Sequence, residues 1–151
     1  MHGSGYKFVS WNVRGLGHVM KRAKVFAYLK SLSADIMFLQ ETHIKHTTKG
    51  KLKVSWVDQQ YEANFTTKAR GVAILIRKNV PFIKSSTIND PNGRFLVVTG
   101  TLNSVPITLV NLYGQTLTTV FQKVFHLIPD ISSTNIILGG DFNCVLDPLL
   151  D

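Results

Sequence analysis

The sequence predicts a strand-rich α/β domain. Short apolar runs of strand length recur along the chain, two amphipathic stretches of helical period lie between them, and turn-forming residues separate the segments. With 151 residues, 44% of them apolar, and a mean hydropathy of +0.10, the chain is long enough for one real core and too apolar for a disordered one. No internal repeat, linker or low-complexity segment interrupts it.

The elements follow in order. Tyr6–Trp11 alternates and is β-prone, which predicts a first strand. "NVRGLGHVM" carries Gly15 and Gly17 and reads as a loop. From Lys21 to Leu32, Val25, Phe26, Leu29 and Leu32 share one helical face, with Lys21, Arg22, Lys24 and Lys30 opposite. "ADIMFLQ" is a continuous apolar run, the mark of a strand buried on both faces. The strand–helix–strand order predicts a parallel pair. Residues 42–53 form a polar, basic connection, and "VSWVDQQYEANF" offers one short strand or two. "GVAILIRK" is a strand, and "SSTINDPNGR" reads as a loop with a turn at Asp90–Gly93. "FLVVTGTL" and "ITLVNLY" flank Asn103–Pro106 as an antiparallel hairpin. Thr118–Ile128 is an amphipathic helix, with Val120, Phe121, Val124, Phe125 and Ile128 on one side, and Asn135–Leu138 is a last strand.

Charge narrows the partners. The formal net charge is +8, and residues 1–94 hold 16 of the 17 Lys and Arg against 5 of the 9 Asp and Glu, a balance of +11. A basic body suits a polyanion such as the phosphate backbone of DNA, because lysines and arginines replace condensed counterions. A basic soluble protein is the plainer reading of charge alone. No run approaches the roughly eighteen apolar residues of a membrane span, and the start lacks the pattern of a signal peptide. A single cysteine, Cys144, excludes an internal disulfide or a multi-cysteine zinc site and fits a reducing compartment, nucleus or cytoplasm.

The chemistry is expected at the strand ends. Asn12 follows "FVSW", Glu41 follows "IMFLQ", Tyr113 follows "ITLVNL" and Asp141 follows "NIILGG". Ligands bind at the carboxyl ends of strands in open α/β sheets, where loops vary on a rigid base. Glu41 is a hard oxygen ligand suited to Mg²⁺. Asp141 is placed to orient or deprotonate an attacking water. Asn12 and Asn143 suit a phosphate oxygen or the metal shell, and Tyr113 offers a neutral donor to developing phosphate charge. Together these types describe metal-assisted cleavage of a phosphodiester. Singly, each has a structural explanation, since Asp or Asn after a strand is a common turn former or cap. Trp11 and Trp56 read as core or edge aromatics, and His18, His43 and His46 as solvated loop residues.

Five motifs in order, "FVSWNVRGLG", "KRAKVFAYLKSLSADIMFLQETH", "KARGVAILI", "ITLVNLYG" and "NIILGGDFNCVLDP", carry a resemblance to the endonuclease/exonuclease/phosphatase superfamily. The chain most resembles the apurinic/apyrimidinic-endonuclease-like domain of LINE-type retrotransposons. The resemblance implies a four-layer α/β sandwich, two mixed β-sheets face to face with helices outside, and Mg²⁺-dependent hydrolysis of DNA phosphodiesters, with Mn²⁺ as a substitute ion. It implies catalytic roles for Asn12, Glu41, Tyr113, Asp141 and Asn143, with Glu41, Asn12 and Asp141 at the metal. Arg14 and His43 sit beside these motifs without an assigned role. "YGQT" departs from the family's small–Pro–Asn, leaving Gln115 and Thr116 in place of the usual contact.

The family also continues past the Asp-x-Asn pair to a second metal-site aspartate and a Ser-Asp-His. None of His2, His18, His43, His46 or His126 follows an aspartate. Residues 1–5 are therefore read as an N-terminal extension and residues 6–151 as a truncated domain, with weak or absent cleavage expected. The competing readings are a non-catalytic basic nucleic-acid-binding remnant, a related phosphodiesterase or phosphatase acting on a small or lipid phosphate, and a reading frame of a decayed element with no selected role.

Overall fold

Two strand–helix–strand units, one in each of two sheets, set the frame. The computed structural model describes residues 5–45, 47–48, 50–67, 69–114, 117–128 and 135–142. The first sheet has the order β1-β2-β4-β3 and is built from β1 (Phe8–Asn12), β2 (Ile36–Gln40), β3 (Val57–Ala63) and β4 (Val72–Arg77). Helix α1 (Val19–Ser31) links β1 to its parallel neighbour β2. The second sheet has the order β5-β6-β7-β8, from β5 (Phe82–Asn89), β6 (Phe95–Leu102), β7 (Val105–Gly114) and β8 (Asn135–Phe142). Helix α2 (Leu117–Leu127) lies between the parallel strands β7 and β8. Every other pairing is antiparallel, so both sheets are mixed.

Alternation along the strands assigns each face. Ile36, Phe38, Val72, Ile74 and Ile76 of the first sheet meet Leu96, Val98, Ile107 and Leu109 of the second in the central core. The alternate residues Met37, Leu39, Ala73 and Leu75 face Val25, Phe26 and Leu29 of α1. Phe95, Val97, Val110 and Leu112 pack with Val124 and Ile128 at α2. Helix, sheet, sheet and helix make four layers, the α/β sandwich with helices outside. Each apolar face is covered by the next layer, which is what stabilises the stack. Among the described residues no helix is long and apolar enough to cross a membrane.

The expected elements are present, with one added strand and two that run further than expected. "SSTIN" belongs to β5 rather than to a loop. It is an edge strand whose residues after Phe82 are largely exposed, so no apolar alternation marked it. Strand β8 runs on through the double glycine to Phe142, and β7 runs to Gly114, so Asp141 and Tyr113 lie within strands. The hairpin turn is tight, with Asn103 and Ser104 at φ +50° and +66°, the left-handed pair that matches strand twist. Residues 1–4 of the expected extension, together with His46, Gln115, Thr116, Asn143 and Cys144, lie outside the described residues.

Candidate active site

The inward faces of four strands change character toward their carboxyl ends. Reading inward positions, β1 runs Phe8, Ser10, Asn12, and β2 runs Ile36, Phe38, Gln40. Strand β7 runs Ile107, Leu109, Asn111, Tyr113, and β8 runs Ile137, Gly139, Asp141. An apolar layer thus passes into a polar layer and then into the candidate site. Register fixes the heights, because Asn12 pairs with Gln40 and Tyr113 with Asp141.

The polar layer ties the sheets together. Gln40 and Asn111 are 1% and 0% exposed, a burial that demands full hydrogen bonding. The Gln40 Nε2 group donates to Asn111 Oδ1 at 2.9 Å and to Ser10 Oγ and Phe38 O at 3.2 Å. Asn111 Nδ2 donates to Leu39 O at 2.9 Å and Ala73 O at 2.8 Å across the sheet interface. Ser10 Oγ also accepts from Gly140 N at 3.1 Å, which ties β8 to β1.

Directly above sits the acidic centre. Asn12 Nδ2 donates to Asp141 Oδ2 at 2.6 Å and also to Glu41 Oε2. Asn12 Oδ1 accepts from Arg14 N at 3.1 Å, so the whole amide is engaged. Glu41 enters the site because its φ is +53°, which breaks the alternation after Gln40 and turns its side chain inward. Arg14, His43 and Arg70 are also left-handed, at φ +50°, +57° and +56°. Such non-glycine conformations cost on the order of 1–3 kcal/mol each and persist where their surroundings impose them. Here the loops are laced together by Gly15 N to Glu41 O at 2.6 Å, Leu16 N to Thr42 O at 2.8 Å and His43 N to Arg70 O at 2.9 Å.

His43 places Nε2 3.6 Å from Glu41 Oε1, with side chains 32% and 24% exposed. The loop histidine is thus half-buried against the site rather than free in solvent. The Tyr113 phenol is pushed above its ordinary value of 10.0, first by burial and then by the Glu41 carboxylate, which it also meets in a hydrogen bond; Asp141 adds to this and Arg70 opposes it. The phenol therefore stays protonated as a donor at neutral pH.

Two carboxylates drawn to one amide repel each other, and a cation between them relieves that repulsion. The Glu41 and Asp141 carboxylates are hard donors of the kind Mg²⁺ accepts with few protein ligands and several waters, whereas the Asn12 amide turns its N–H toward them and would have to flip to offer Oδ1. The donor set therefore fits a divalent cation of that class. Among the described residues, no group of three or more His, Cys, Asp or Glu side chains is placed to hold a metal.

Asn12, Glu41, Tyr113 and Asp141 are brought together from four strands, while Asn143 lies outside the described residues. Sequence reasoning passed over Ser10, Gln40 and Asn111. The signal available was a polar residue at the inward position of an otherwise apolar strand. His43 carried no such signal, because its approach to Glu41 depends on left-handed loop geometry.

A four-layer sandwich with an acidic centre at the seam of its sheets is the frame of a hydrolytic enzyme class. The profile of the Endonuclease/Exonuclease/phosphatase family matches residues 9–149, and the chain belongs to that family. It is similar to the transposon TX1 uncharacterized 149 kDa protein of Xenopus laevis, 26% identical over 142 residues, which are 90% of this chain and 11% of that protein. It is also similar to an exodeoxyribonuclease of Bacillus subtilis (strain 168), 51% identical over 39 residues, 26% of this chain and 16% of that one.

Among solved structures, D. rerio TDP2 complexed with single strand DNA product superposes with a TM-score of 0.69 at 21% identity, covering 95% of this chain and 62% of that one. AP endonuclease LMAP from Leishmania major gives 0.66 at 20% identity, covering 90% and 54%. These likenesses show the fold. The chain spans a small part of the curated relatives it matches and little more than half of these two structures.

Proposed function

We propose that the chain is the catalytic face of a Mg²⁺-dependent DNA endonuclease domain of retrotransposon type. The observation that carries this reading is the Asn12 amide holding Glu41 and Asp141 together beside the neutral Tyr113 phenol. Family membership, the likeness to a transposon protein over 90% of the chain and the charge of +8 support it. A bound Mg²⁺ or Mn²⁺ would be held by Glu41, Asp141 and Asn12 and would supply Lewis-acid neutralisation of phosphate charge.

The protein's own groups do the rest. Asp141 orients a water and accepts its proton as the oxygen attacks phosphorus. Tyr113 turns its single O–H from Glu41 to a non-bridging phosphate oxygen, whose charge grows as the attacking oxygen bonds to phosphorus, while the bond to the leaving oxygen breaks. Asn12 fixes the spacing of the two carboxylates, and His43 lies on the outer side of Glu41. Asn143 is proposed to assist Asp141, two residues along the chain.

Nicking of supercoiled plasmid by the monomeric fraction tests this. Nicking, expected to be weak, should require Mg²⁺, stop with chelator and fall at least about 10²-fold in Glu41→Gln and Asp141→Asn. Binding that weakens with salt but ignores both Mg²⁺ and Glu41, with no nicking, would instead establish a non-catalytic nucleic-acid-binding protein.

A further inference from the structure

Beside the acidic centre, Arg70, Arg94, Tyr113 and Gly114 line a small concavity of about 180 Å³. We infer that Arg70 and Arg94 form a phosphate cradle that takes a backbone phosphate flanking the one to be cut; this rests on the nucleic-acid reading above and names a second contact of that substrate. Tyr113 is the wall between the two sites, lining the cradle while hydrogen-bonding Glu41.

The Arg70 guanidinium and the Arg94 backbone are held before any ligand arrives. The Arg70 guanidinium lies 4.4 Å from the centre of the Phe65 ring, stacked on its face, and Nη1 reaches Asn92 O at 3.5 Å. Stacking of this kind holds a guanidinium while leaving its outer N–H donors available. Arg94 is held through its backbone, with its N–H donating to Asp90 Oδ2 at 3.0 Å and its carbonyl accepting from Tyr113 N at 2.7 Å. The Asp90 carboxylate is spent on backbone, accepting also from Asn92 N at 3.1 Å.

Gly93 brings the two arginines to one place. It sits at φ +65°, and a Cβ there would fall 3.0 Å from Gly71 N and 3.3 Å from Phe65 Cβ. The Asp90–Arg94 turn of the second sheet therefore docks on the Gly71 end of the first, sealed by Gly71 N to Gly93 O at 3.0 Å.

The electrostatics select an anion. Among the described residues no carboxylate pairs with either guanidinium. Two arginine forks around a volume equal to a phosphate and a few waters, at about 30 Å³ per water, match phosphate oxygens in bidentate geometry. The scissile phosphate belongs on the Glu41 and Asp141 side of Tyr113, which leaves a neighbouring phosphate of the same strand for the cradle. A polymer then engages both sites, whereas a small phosphate ester engages one.

The test is binding in chelator, where no catalysis is needed. A fluorescent single-stranded oligonucleotide, with and without a 5′-phosphate, is titrated over a salt series against wild type, Arg70→Gln, Arg94→Gln and Arg77→Gln. Arg77 closes β4 at the end far from Arg70, which lies just before that strand, so its loss controls for net charge. The slope of log K against log salt is expected to fall by about one in Arg70→Gln and in Arg94→Gln and to fall by less in Arg77→Gln. Arg70→Lys, which keeps charge but loses the fork, is expected to recover only part of the affinity.

A parallel NMR titration with inorganic phosphate is expected to shift the Arg70 and Arg94 Nε–H and Gly114 amide resonances. Oligonucleotide binding with the same slope in all three glutamine variants overturns the cradle and leaves the phosphodiesterase reading standing. Phosphate shifts at Arg70 and Arg94 without oligonucleotide binding support an anion site and overturn the nucleic-acid reading. Tighter binding of the 5′-phosphorylated strand alone assigns the cradle to a terminal phosphate and overturns the flanking assignment.

Discussion

Four side chains make the candidate site, and neighbours set what each can do. Tyr113 is the clearest case, because burial and the adjacent Glu41 carboxylate both disfavour phenolate. A pKa raised above 10.0 leaves the phenol neutral at every lower pH, so its donor is fully present there and is lost only as pH rises through the raised value. Tyr113→Phe is therefore expected to lower kcat by about 10²–10³-fold, the range for removing one donor to a developing oxyanion. Between pH 7 and 9.5 the wild-type rate is expected to show no loss assignable to this group. A plasmid-nicking pH series on both proteins checks both statements, and an alkaline limb starting near pH 8 that Tyr113→Phe abolishes would contradict them. Asn12, Glu41 and Asp141 were legible as residues because each follows an apolar run. The inward turn of Glu41 was not, since it depends on a left-handed φ of +53° that residue type does not announce.

At the level of elements, the site rests on two strand–helix–strand units whose carboxyl ends meet across the interface between the sheets. The Gln40–Asn111 layer holds those ends in register. Asn111→Leu keeps the volume but removes the amide that serves Leu39 O, Ala73 O and Gln40 Nε2. Leaving buried polar groups unpaired costs about 1–3 kcal/mol each, and an overall loss of about 2–4 kcal/mol is expected in urea denaturation. Gly139 is constrained from the other side, because a Cβ there would fall 2.5 Å from Cγ of Phe38. Gly139→Ala is expected to cost about 1–3 kcal/mol by overpacking in the same assay.

Both helices and most strands were readable, since each buries a stripe or a face with its own period. The β1–α1–β2 crossover was readable as a parallel pair because two apolar strands bracket one amphipathic helix. Strand β5 was not, because an edge strand with exposed polar residues has no period to detect. Nor was the reach of β8 through Gly139 and Gly140, where turn-type residues sit inside a strand so that β8 can approach its neighbours.

On the scale of the whole molecule, strand order puts the candidate site where the two sheets meet. Strands β1 and β8 lie in different sheets, yet Asn12 and Asp141 bond at 2.6 Å, a contact spanning nearly the whole described chain. Single-strand patterns could not place that contact; it emerges from packing two sheets in register. Basic groups gather around the same seam, with Arg70 and Arg94 beside Tyr113, so net charge of +8 has a local counterpart at the site.

The most direct test of the central claim, that four strand ends form one divalent-cation centre, is paramagnetic broadening of backbone amide signals by substoichiometric Mn²⁺. Signals from residues 12–14, 41–43 and 140–142 are expected to broaden first, to recover when excess Mg²⁺ competes, and to stay sharp in Glu41→Gln. Broadening centred elsewhere, or unchanged by Glu41→Gln, would contradict a metal centre at these strand ends.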